Sequence, residues 1–291
     1  MKSPDSQRGR LIEGRKIAAE IEGRAEREIA SLRDAGHTPH LVAVQVGDNA
    51  PTMVYVKKQK ERFSRLGIRY THLELDEKAP LEEIQSHIEA LNENPTVTGI
   101  ILTMPLPPGV PASRLQESIR PEKDVEGVHP ANMGRLIYNR KAVGPCTALA
   151  VLTAVESTGV PIEGKHVVMV GHSDIVGKPV GLCLLQAMAT ITTCHSATRN
   201  LEEHTRQADV LVVAVGKPGI IRKDMVKEGV IVIDVGINRV DGRIVGDVAF
   251  DEVAPKASWI TPVPGGIGLI TVAMLARNTL LCARRIFLGE E

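Results

Sequence analysis

Apolar residues along the chain fall into two patterns, short continuous runs and longer stretches with a spacing near 3.6 residues. The runs predict strands and the helical spacing predicts helices. In the first half, the predicted elements are a helix over 11–30, a strand over 41–46, a helix over 55–66 and a strand over 97–102. Alternation of strands and helices is typical of a parallel sheet that is covered on both faces.

A second and denser series of apolar runs begins near residue 150. It predicts strands over 166–170, 190–194, 209–215 and 230–235, and a last helix over 274–286 after the Pro/Gly turn 262–268. A polar, glycine-bearing segment places the entry to a second domain around 148–164. We therefore expect an α/β protein with a first domain over 1–148, joined by the C-terminal segment 268–291, and a second domain over 149–267.

Composition excludes several classes of protein. The 35 Lys and Arg residues balance 35 Asp and Glu residues, and aromatic residues make up 2% of the chain, so neither a nucleic-acid binder nor an aromatic stacking groove is expected. The four cysteines form no C-x-x-C pair, which favours free thiols in a reducing cytoplasm. The N-terminus is polar, and the longest apolar runs are far below the roughly 20 residues that span a bilayer. We expect a cytoplasmic protein without a membrane partner.

One glycine-bearing loop lies where a dinucleotide cofactor would bind. Gly171, Ser173 and Gly177 follow a predicted strand and open a predicted helix, and such a turn lets backbone N–H groups approach a pyrophosphate. The pattern departs from G-x-G-x-x-G, because Ser173 holds the second glycine position and the last glycine comes one residue late. A glycine-rich turn can also be merely structural.

The segment after the next strand bears on the choice between NAD and NADP. An NAD site usually has an acid there, whereas residues 192–199 contain hydroxyl groups and Arg199 but no acid. This favours NADP, with NAD possible. His172 could add charge, although His172 and His195 also fit plain surface histidines. The turns 216–219 and 234–238 also follow predicted strands. They are interpreted either as ligand-binding loops or as purely structural tight turns.

Many short segments in one order resemble a known family. They are Gly47-Asp-Asn49, Tyr55-Val56, Pro105-Leu-Pro107, Pro121-Glu-Lys-Asp-Val-Glu-Gly127, Asn132-x-Gly-Arg-Leu136, Pro145-Cys-Thr147, Ile175-Val-Gly-x-Pro179, Ala214-Val-Gly-Lys-Pro-Gly219, Val232-Ile-Asp-Val-Gly-Ile-Asn238 and Thr261-Pro-Val-Pro-Gly-Gly266. Together they resemble the methylenetetrahydrofolate dehydrogenase/cyclohydrolase family of the FolD type, from Leu11 to Cys282.

The resemblance implies two α/β domains flanking a cleft, the second a Rossmann-type NAD(P)-binding domain, with the C-terminal helix packing back on the first. It implies a homodimer and a folate substrate, and no metal. Implied catalytic positions are Tyr55, Gln59, Thr103 and Glu126. Implied cofactor contacts are Gly171, His172, Ser173, Ile175, Val176, Gly177, His195, Ser196, Gly216, Lys217, Pro218 and Ile237. Implied substrate contacts are Thr52, Tyr55, Pro105, Leu106, Glu126, Pro264, Gly265 and Gly266.

The sequence departs from the family pattern at the folate end. Gln59 stands where bifunctional members carry the lysine of Tyr-x-x-x-Lys, Thr103 replaces a Gln, and Glu126 replaces the pterin-binding Asp. Hydride transfer mainly needs positioning, whereas hydrolysis of the methenyl product needs a proton acceptor, which a Gln amide is not. We expect an NADP-preferring methylenetetrahydrofolate dehydrogenase with weak or absent cyclohydrolase activity.

Three alternatives stay open at this point. In the first, the protein is an oxidoreductase of the same fold that acts on another one-carbon carrier or on a cyclic amine. In the second, it is a catalytically silent nucleotide-binding paralogue. The third alternative is a fully bifunctional enzyme, if another group replaces the lysine.

Overall fold

The computed structural model describes residues 9–47, 50–140 and 143–290, without the side chains of 50–55 and 58. Strands are β1 (Arg10–Leu11), β2 (His40–Val46), β3 (Arg69–Leu75), β4 (Gly99–Leu102), β5 (His166–Val170), β6 (Thr190–Cys194), β7 (Val210–Val213), β8 (Ile231–Asp234), β9 (Asn238–Val240), β10 (Arg243–Val245) and β11 (Trp259–Ile260). Helices are α1 (Gly14–Asp34), α2 (Ala50–Arg65), α3 (Leu81–Glu93), α4 (Ala112–Ser118), α5 (Pro130–Ile137), α6 (Cys146–Glu156), α7 (Gly177–Gln186), α8 (Leu201–Thr205), α9 (Phe250–Val253) and α10 (Ile267–Leu288).

The chain forms two compact units. The N-terminal unit consists of Glu20–Gly144 and the C-terminal segment from Leu275, and the central unit consists of Pro145–Met274 and the described residues up to Ala19. Residues 9–19 thus group with the central unit, whereas the sequence analysis assigns them to the first domain. The α/β class with two domains is confirmed.

The N-terminal unit is built on a three-stranded parallel sheet in the order β3-β2-β4. Its central strand, β2, is buried at every position. Val42, Val44 and Val46 point to one face, where they pack against α3 through Ile84 and Ile88. A continuous apolar sequence is expected for a parallel strand that is buried on both faces.

The central unit contains a six-stranded sheet in the order β1-β11-β8-β7-β5-β6, with every pair parallel. From β5 the chain runs outward to β6 and then returns to β7 on the other side of β5. The carboxyl ends of β5 and β7 therefore flank a topological switch point, where open α/β sheets bind their ligands. An antiparallel hairpin of β9 and β10 follows β8.

Several predicted boundaries are wrong. The first helix begins at Gly14 rather than residue 11, because Arg10 and Leu11 pair with β11. The second helix begins at Ala50, since a proline such as Pro51 fits the first helical turn instead of breaking it. The last helix begins at Ile267, seven residues before its predicted start.

The last helix, α10, is long and apolar. Its most apolar window of 18 residues has a mean hydropathy of 1.3, which by length and composition is enough to cross a membrane. However, 61% of that window is buried inside the protein. A buried core helix passes the same test, so these properties are weak evidence for a membrane span.

Candidate functional site

The loop between β5 and α7 forms a tight backbone cradle. Gly171 has a φ of +125°, and a Cβ added there would lie 2.3 Å from the carbonyl oxygen of Ala214. A Cβ added at Gly177 would lie 2.3 Å from the carbonyl oxygen of Gly171. Both glycines are therefore required by close backbone packing at the switch point. Ser173 Oγ accepts a hydrogen bond of 3.4 Å from the N–H of Gly177, the first residue of α7. A loop of this shape before a helix N-terminus fits a dinucleotide pyrophosphate.

The two histidines predicted for the cofactor site are brought together. The ring centroids of His172 and His195 lie 5.1 Å apart, at an interplanar angle of 74°. Ser196 follows His195 in the loop after β6, and both side chains are exposed. Of the other predicted loop residues, Ile175 is exposed and Val176 is half-buried. In Rossmann-type domains, the loop after the second strand lies where the adenosine ribose binds.

Two aspartates hold the next loops in place: Asp247, which the sequence analysis missed, and Asp234, which begins the predicted turn 234–238. Asp247 is fully buried, and its Oδ2 accepts from the N–H groups of Val215 at 2.7 Å and Gly216 at 2.9 Å. Its Oδ1 accepts from Asn238 Nδ2 at 2.8 Å. Asp247 therefore fixes the turn that carries the predicted contacts Gly216, Lys217 and Pro218.

The second aspartate, Asp234, ends β8. Its carboxylate accepts from the N–H groups of Gly236, Asp247 and Val248 at 2.9–3.0 Å. Burial raises the pKa of Asp234 to about 6, although these three hydrogen bonds act to lower it. A Cβ added at Gly246 would lie 1.9 Å from Asp234 Oδ2, so Gly246 is required by the carboxylate beside it.

A cavity of about 160 Å³ opens beside these loops in the central unit. It joins the predicted cofactor contact Ile237 to the predicted substrate contacts Pro264, Gly265 and Gly266. Its lining residues are Asp234, Val235, Gly236, Ile237, Ile244, Pro262, Val263, Pro264, Gly265, Gly266, Ile267, Gly268 and Leu269.

In the N-terminal unit, Gln59 lies on the buried face of α2. Its side chain is 2% exposed, and its Oε1 accepts a hydrogen bond of 2.8 Å from the hydroxyl of Tyr70 on β3. Among the described side chains, Gln59 Nε2 has no hydrogen-bond partner. Thr103 follows β4 and donates through Oγ1 to the carbonyl of Val44 at 3.2 Å. No hydrogen bond joins Gln59 to Thr103 among the described residues.

The predicted positions Thr52 and Tyr55 lie outside the described side chains. Pro105 is exposed, and Leu106 packs against the apolar core around β2 and β4. Tyr70 was missed by the sequence analysis, because β3 was not predicted.

Glu126 lies in the segment after α4, two residues beyond a buried carboxylate. Burial, and then the nearby charge of Asp124, raise the pKa of Glu126 to about 8. Asp124 accepts from the N–H groups of Gly127 and His129 and from Asn132 Nδ2, at 2.8–3.0 Å. The carboxylate of Asp124 is thus occupied by hydrogen bonds from nearby residues. Glu126 is half-buried, so its carboxyl group is partly accessible. Among the described residues, no group of three or more His, Cys, Asp or Glu could hold a metal ion.

The sheet order, the glycine cradle and the loops beside it define the central unit as a dinucleotide-binding domain of an α/β oxidoreductase. The sequence models of the tetrahydrofolate dehydrogenase/cyclohydrolase catalytic domain and NAD(P)-binding domain match residues 12–126 and 145–287. The chain belongs to this tetrahydrofolate dehydrogenase/cyclohydrolase family.

Relatives and solved structures agree with this assignment. The bifunctional protein FolD of Nitrosospira multiformis is 45% identical over 277 residues, which cover 95% of this chain and 96% of the relative. The crystal structure of the bifunctional FolD enzyme of Campylobacter jejuni matches with a TM-score of 0.92 and 41% identity, over 94% of this chain and 98% of that one. The Trypanosoma brucei FolD enzyme, complexed with NADP and an inhibitor, matches with a TM-score of 0.90 and 36% identity, over 96% of this chain and 98% of that one.

Proposed function

We propose that this protein oxidises 5,10-methylenetetrahydrofolate to 5,10-methenyltetrahydrofolate with NADP, and that its cyclohydrolase activity is weak or lost. Family membership supports the dehydrogenase activity. The argument for weak cyclohydrolase activity depends on Gln59. Bound NADP supplies the acceptor for the hydride that leaves the bridge carbon of the substrate. The cradle around Gly171 and the turn that Asp247 fixes would hold the cofactor in place, so this step rests on positioning.

The buried amide at Gln59 carries the argument for weak hydrolysis. Opening the methenyl ring needs an activated water and a group that accepts and returns a proton. A neutral amide is not such a group at working pH. Gln59 Oε1 is also occupied by the hydroxyl of Tyr70, and Thr103 is engaged with a backbone carbonyl. Neither of the two replaced positions offers water a proton acceptor.

The preference for NADP over NAD rests on the loop after β6. No carboxylate stands between His195 and Arg199 to accept a hydrogen bond from a ribose 2′-hydroxyl. The exposed side chains His172, His195 and Ser196 are donors that suit a 2′-phosphate. NAD remains usable, since the pyrophosphate cradle serves both nucleotides.

Glu126 is the group that we propose for the pterin ring. The free side chain keeps its proton up to about pH 8, and it would ionise on binding, because the amino and ring N–H groups of the pterin donate hydrogen bonds that favour the carboxylate. Truncation of an acceptor that leaves such donors unpaired typically costs about 2–5 kcal/mol of binding. We expect Glu126→Ala to raise the KM for the folate strongly while the Kd for NADP barely moves, and an unchanged folate KM would remove Glu126 from the site. We also propose a homodimer, as the family resemblance implies, and a cytoplasmic location, which the pattern of cysteines favours.

A second candidate is a fully bifunctional enzyme. The relatives at 42–45% identity carry the name bifunctional protein FolD, which favours it. In that case another group of this chain would take the place of the missing lysine.

Restoring the family residues tests the proposal. Purified protein is given methenyltetrahydrofolate alone, and its loss is followed by absorbance against the buffer rate. We expect the unmodified protein to stay near the buffer rate and the double variant Gln59→Lys, Thr103→Gln to exceed it. Gln59→Lys alone is the matched control, because an unpartnered lysine can have the wrong pKa. Rapid loss with the unmodified protein would support the bifunctional candidate instead.

A further inference from the structure

The segment that leads to Glu126 lies along the edge of the sheet in the N-terminal unit. The N–H of Ile100 on the edge strand β4 donates to the carbonyl of Lys123 at 2.8 Å. A Cβ added at Gly99 would lie 2.3 Å from Val125 Cγ1, so β4 and this segment are in close contact. The backbone before Glu126 is therefore held against the sheet.

Two side-chain hydrogen bonds hold the two peptide groups that flank Glu126. The carbonyl of Val125, in the peptide before Glu126, accepts from Asn278 Nδ2 on α10 at 2.9 Å. The N–H of Gly127, in the peptide after Glu126, donates to Asp124 Oδ1 at 3.0 Å. Because each peptide group is planar, the orientations of these two planes set φ and ψ of Glu126. The two hydrogen bonds therefore fix the direction in which its side chain leaves the backbone.

Asn278 is fully buried, and its amide group donates to two carbonyls of the N-terminal unit. Nδ2 donates to the carbonyl of Val125 and to the carbonyl of Gly144, each at 2.9 Å. A carbonyl only accepts, so the atom that faces both of them is the amide nitrogen, with one proton for each. Asn278 thus joins the last helix to the segment that carries Glu126, across 153 positions of sequence.

We propose that Asn278 is a positioning residue for the folate, which acts through the backbone of Glu126. This inference rests on the proposed function, in which the Glu126 carboxyl group binds the pterin. Hydrogen bonds weaken steeply as they depart from a straight line, so the pterin requires the carboxyl group in one orientation. Without Asn278 the carbonyl of Val125 loses this donor, and the peptide before Glu126 loses a restraint on its rotation. Glu126 then keeps its carboxyl group but not its fixed direction.

Steady-state kinetics of methylenetetrahydrofolate oxidation separate positioning from a purely structural role. Asn278→Ala should raise the KM for the folate about tenfold, the effect of one lost hydrogen bond, while kcat stays within about twofold. A substitution that only destabilises the fold lowers the amount of active enzyme, which lowers kcat and leaves KM unchanged. Asn92→Ala is the matched control, because Asn92 is also buried in the N-terminal unit and its amide binds the backbone of Ser118 and Arg120. It should leave the folate KM unchanged.

A double-mutant cycle tests whether Asn278 acts through Glu126. In the Glu126→Ala background, Asn278→Ala should change the folate KM by less than about twofold, because the carboxyl group that Asn278 positions is absent. Asn278→Ser keeps one hydroxyl donor and takes the place of Asn278→Ala if that variant does not fold. For Asn278→Ser we expect the folate KM to rise about threefold, since part of the hydrogen bonding is kept.

Each other outcome overturns a defined part of the account. An unchanged folate KM in the Asn278 variant, with a raised KM in Glu126→Ala, overturns the positioning role and leaves the proposed function intact. An equal rise in KM with and without the Glu126 carboxyl group shows that Asn278 acts elsewhere, which also overturns the inference. An unchanged folate KM in Glu126→Ala itself removes Glu126 from the site and overturns the proposed role on which the inference rests.

Discussion

Glu126 should make the folded protein less stable as the pH rises from 5 to 8. Burial, followed by the charge of Asp124, raises the pKa of Glu126 from 4.5 to about 8. The unfolded chain releases this proton near the ordinary pKa, whereas the folded protein keeps it until about pH 8. Over that interval the folded state binds one more proton than the unfolded state, so the free energy of unfolding declines as the pH rises. Above pH 8 the loss is complete.

The structure sets the size of this effect. Each unit of pKa shift corresponds to about 1.4 kcal/mol, so a rise from 4.5 to about 8 gives an upper limit of about 5 kcal/mol. Glu126 is half-buried rather than enclosed, and solvent screens the cost of its charge. We therefore expect about 2 kcal/mol. In a domain of 150–250 residues, this corresponds to a Tm change of about 4–8 °C.

The substitution Glu126→Gln removes the titrating group and keeps the shape of the side chain. Thermal unfolding is recorded for both proteins at half-unit steps from pH 5 to pH 8.5. We expect the Tm of the variant to exceed that of the unmodified protein by a margin that grows with pH and levels off above pH 8. The exposed Glu122→Gln is the matched control and should show no such growth. Parallel Tm profiles for Glu126→Gln and the unmodified protein would refute the reasoning.

Two further predictions concern buried ionic groups with full sets of partners. Lys123→Met should lower the free energy of unfolding by about 3 kcal/mol, because Nζ donates at 2.7–2.9 Å to three carbonyls at the end of α3. Urea unfolding measures this loss, with the exposed Lys78→Met as the control, and equal unfolding midpoints for the two variants would contradict it. Asp247→Ala should weaken NADP binding about tenfold or more, because the N–H groups of Val215 and Gly216 lose their acceptor. Calorimetry measures the Kd for NADP, with Asp251→Ala as the control, and equal Kd values for the two variants would contradict the prediction.

The interior of each sheet could be predicted from the sequence, because a strand buried on both faces is a continuous apolar run. The run at 166–170 coincides with β5, and the run at 41–46 lies within β2. The strand β3 was missed because it lies at the edge of its sheet, where only Tyr70 of Arg69–Leu75 is buried, so it contains no continuous apolar run. The two-residue strands β1 and β11 exist only through pairing between residues far apart in the chain, which no local pattern records.

The same distinction separates the parts of the site. The loops at the carboxyl ends of strands could be predicted, because a glycine after an apolar run is a local signal. The partners that fix those loops could not be predicted, because they lie far away in the sequence. Asp247 accepts hydrogen bonds from the N–H groups of residues 31 and 32 positions earlier. The contact between His172 and His195 likewise depends on two strands being neighbours, and the partner of Gln59 depends on β3.

The most direct test of the central claim is one time course with the unmodified protein. Methylenetetrahydrofolate and NADP are mixed with the protein, and NADPH, methenyltetrahydrofolate and 10-formyltetrahydrofolate are quantified together by rapid quenching and chromatography. Because Gln59 and Thr103 offer no proton acceptor, we expect methenyl product to accumulate in step with NADPH and then decay at the buffer rate. Formation of 10-formyltetrahydrofolate in step with NADPH, without accumulation of the methenyl compound, would contradict the account.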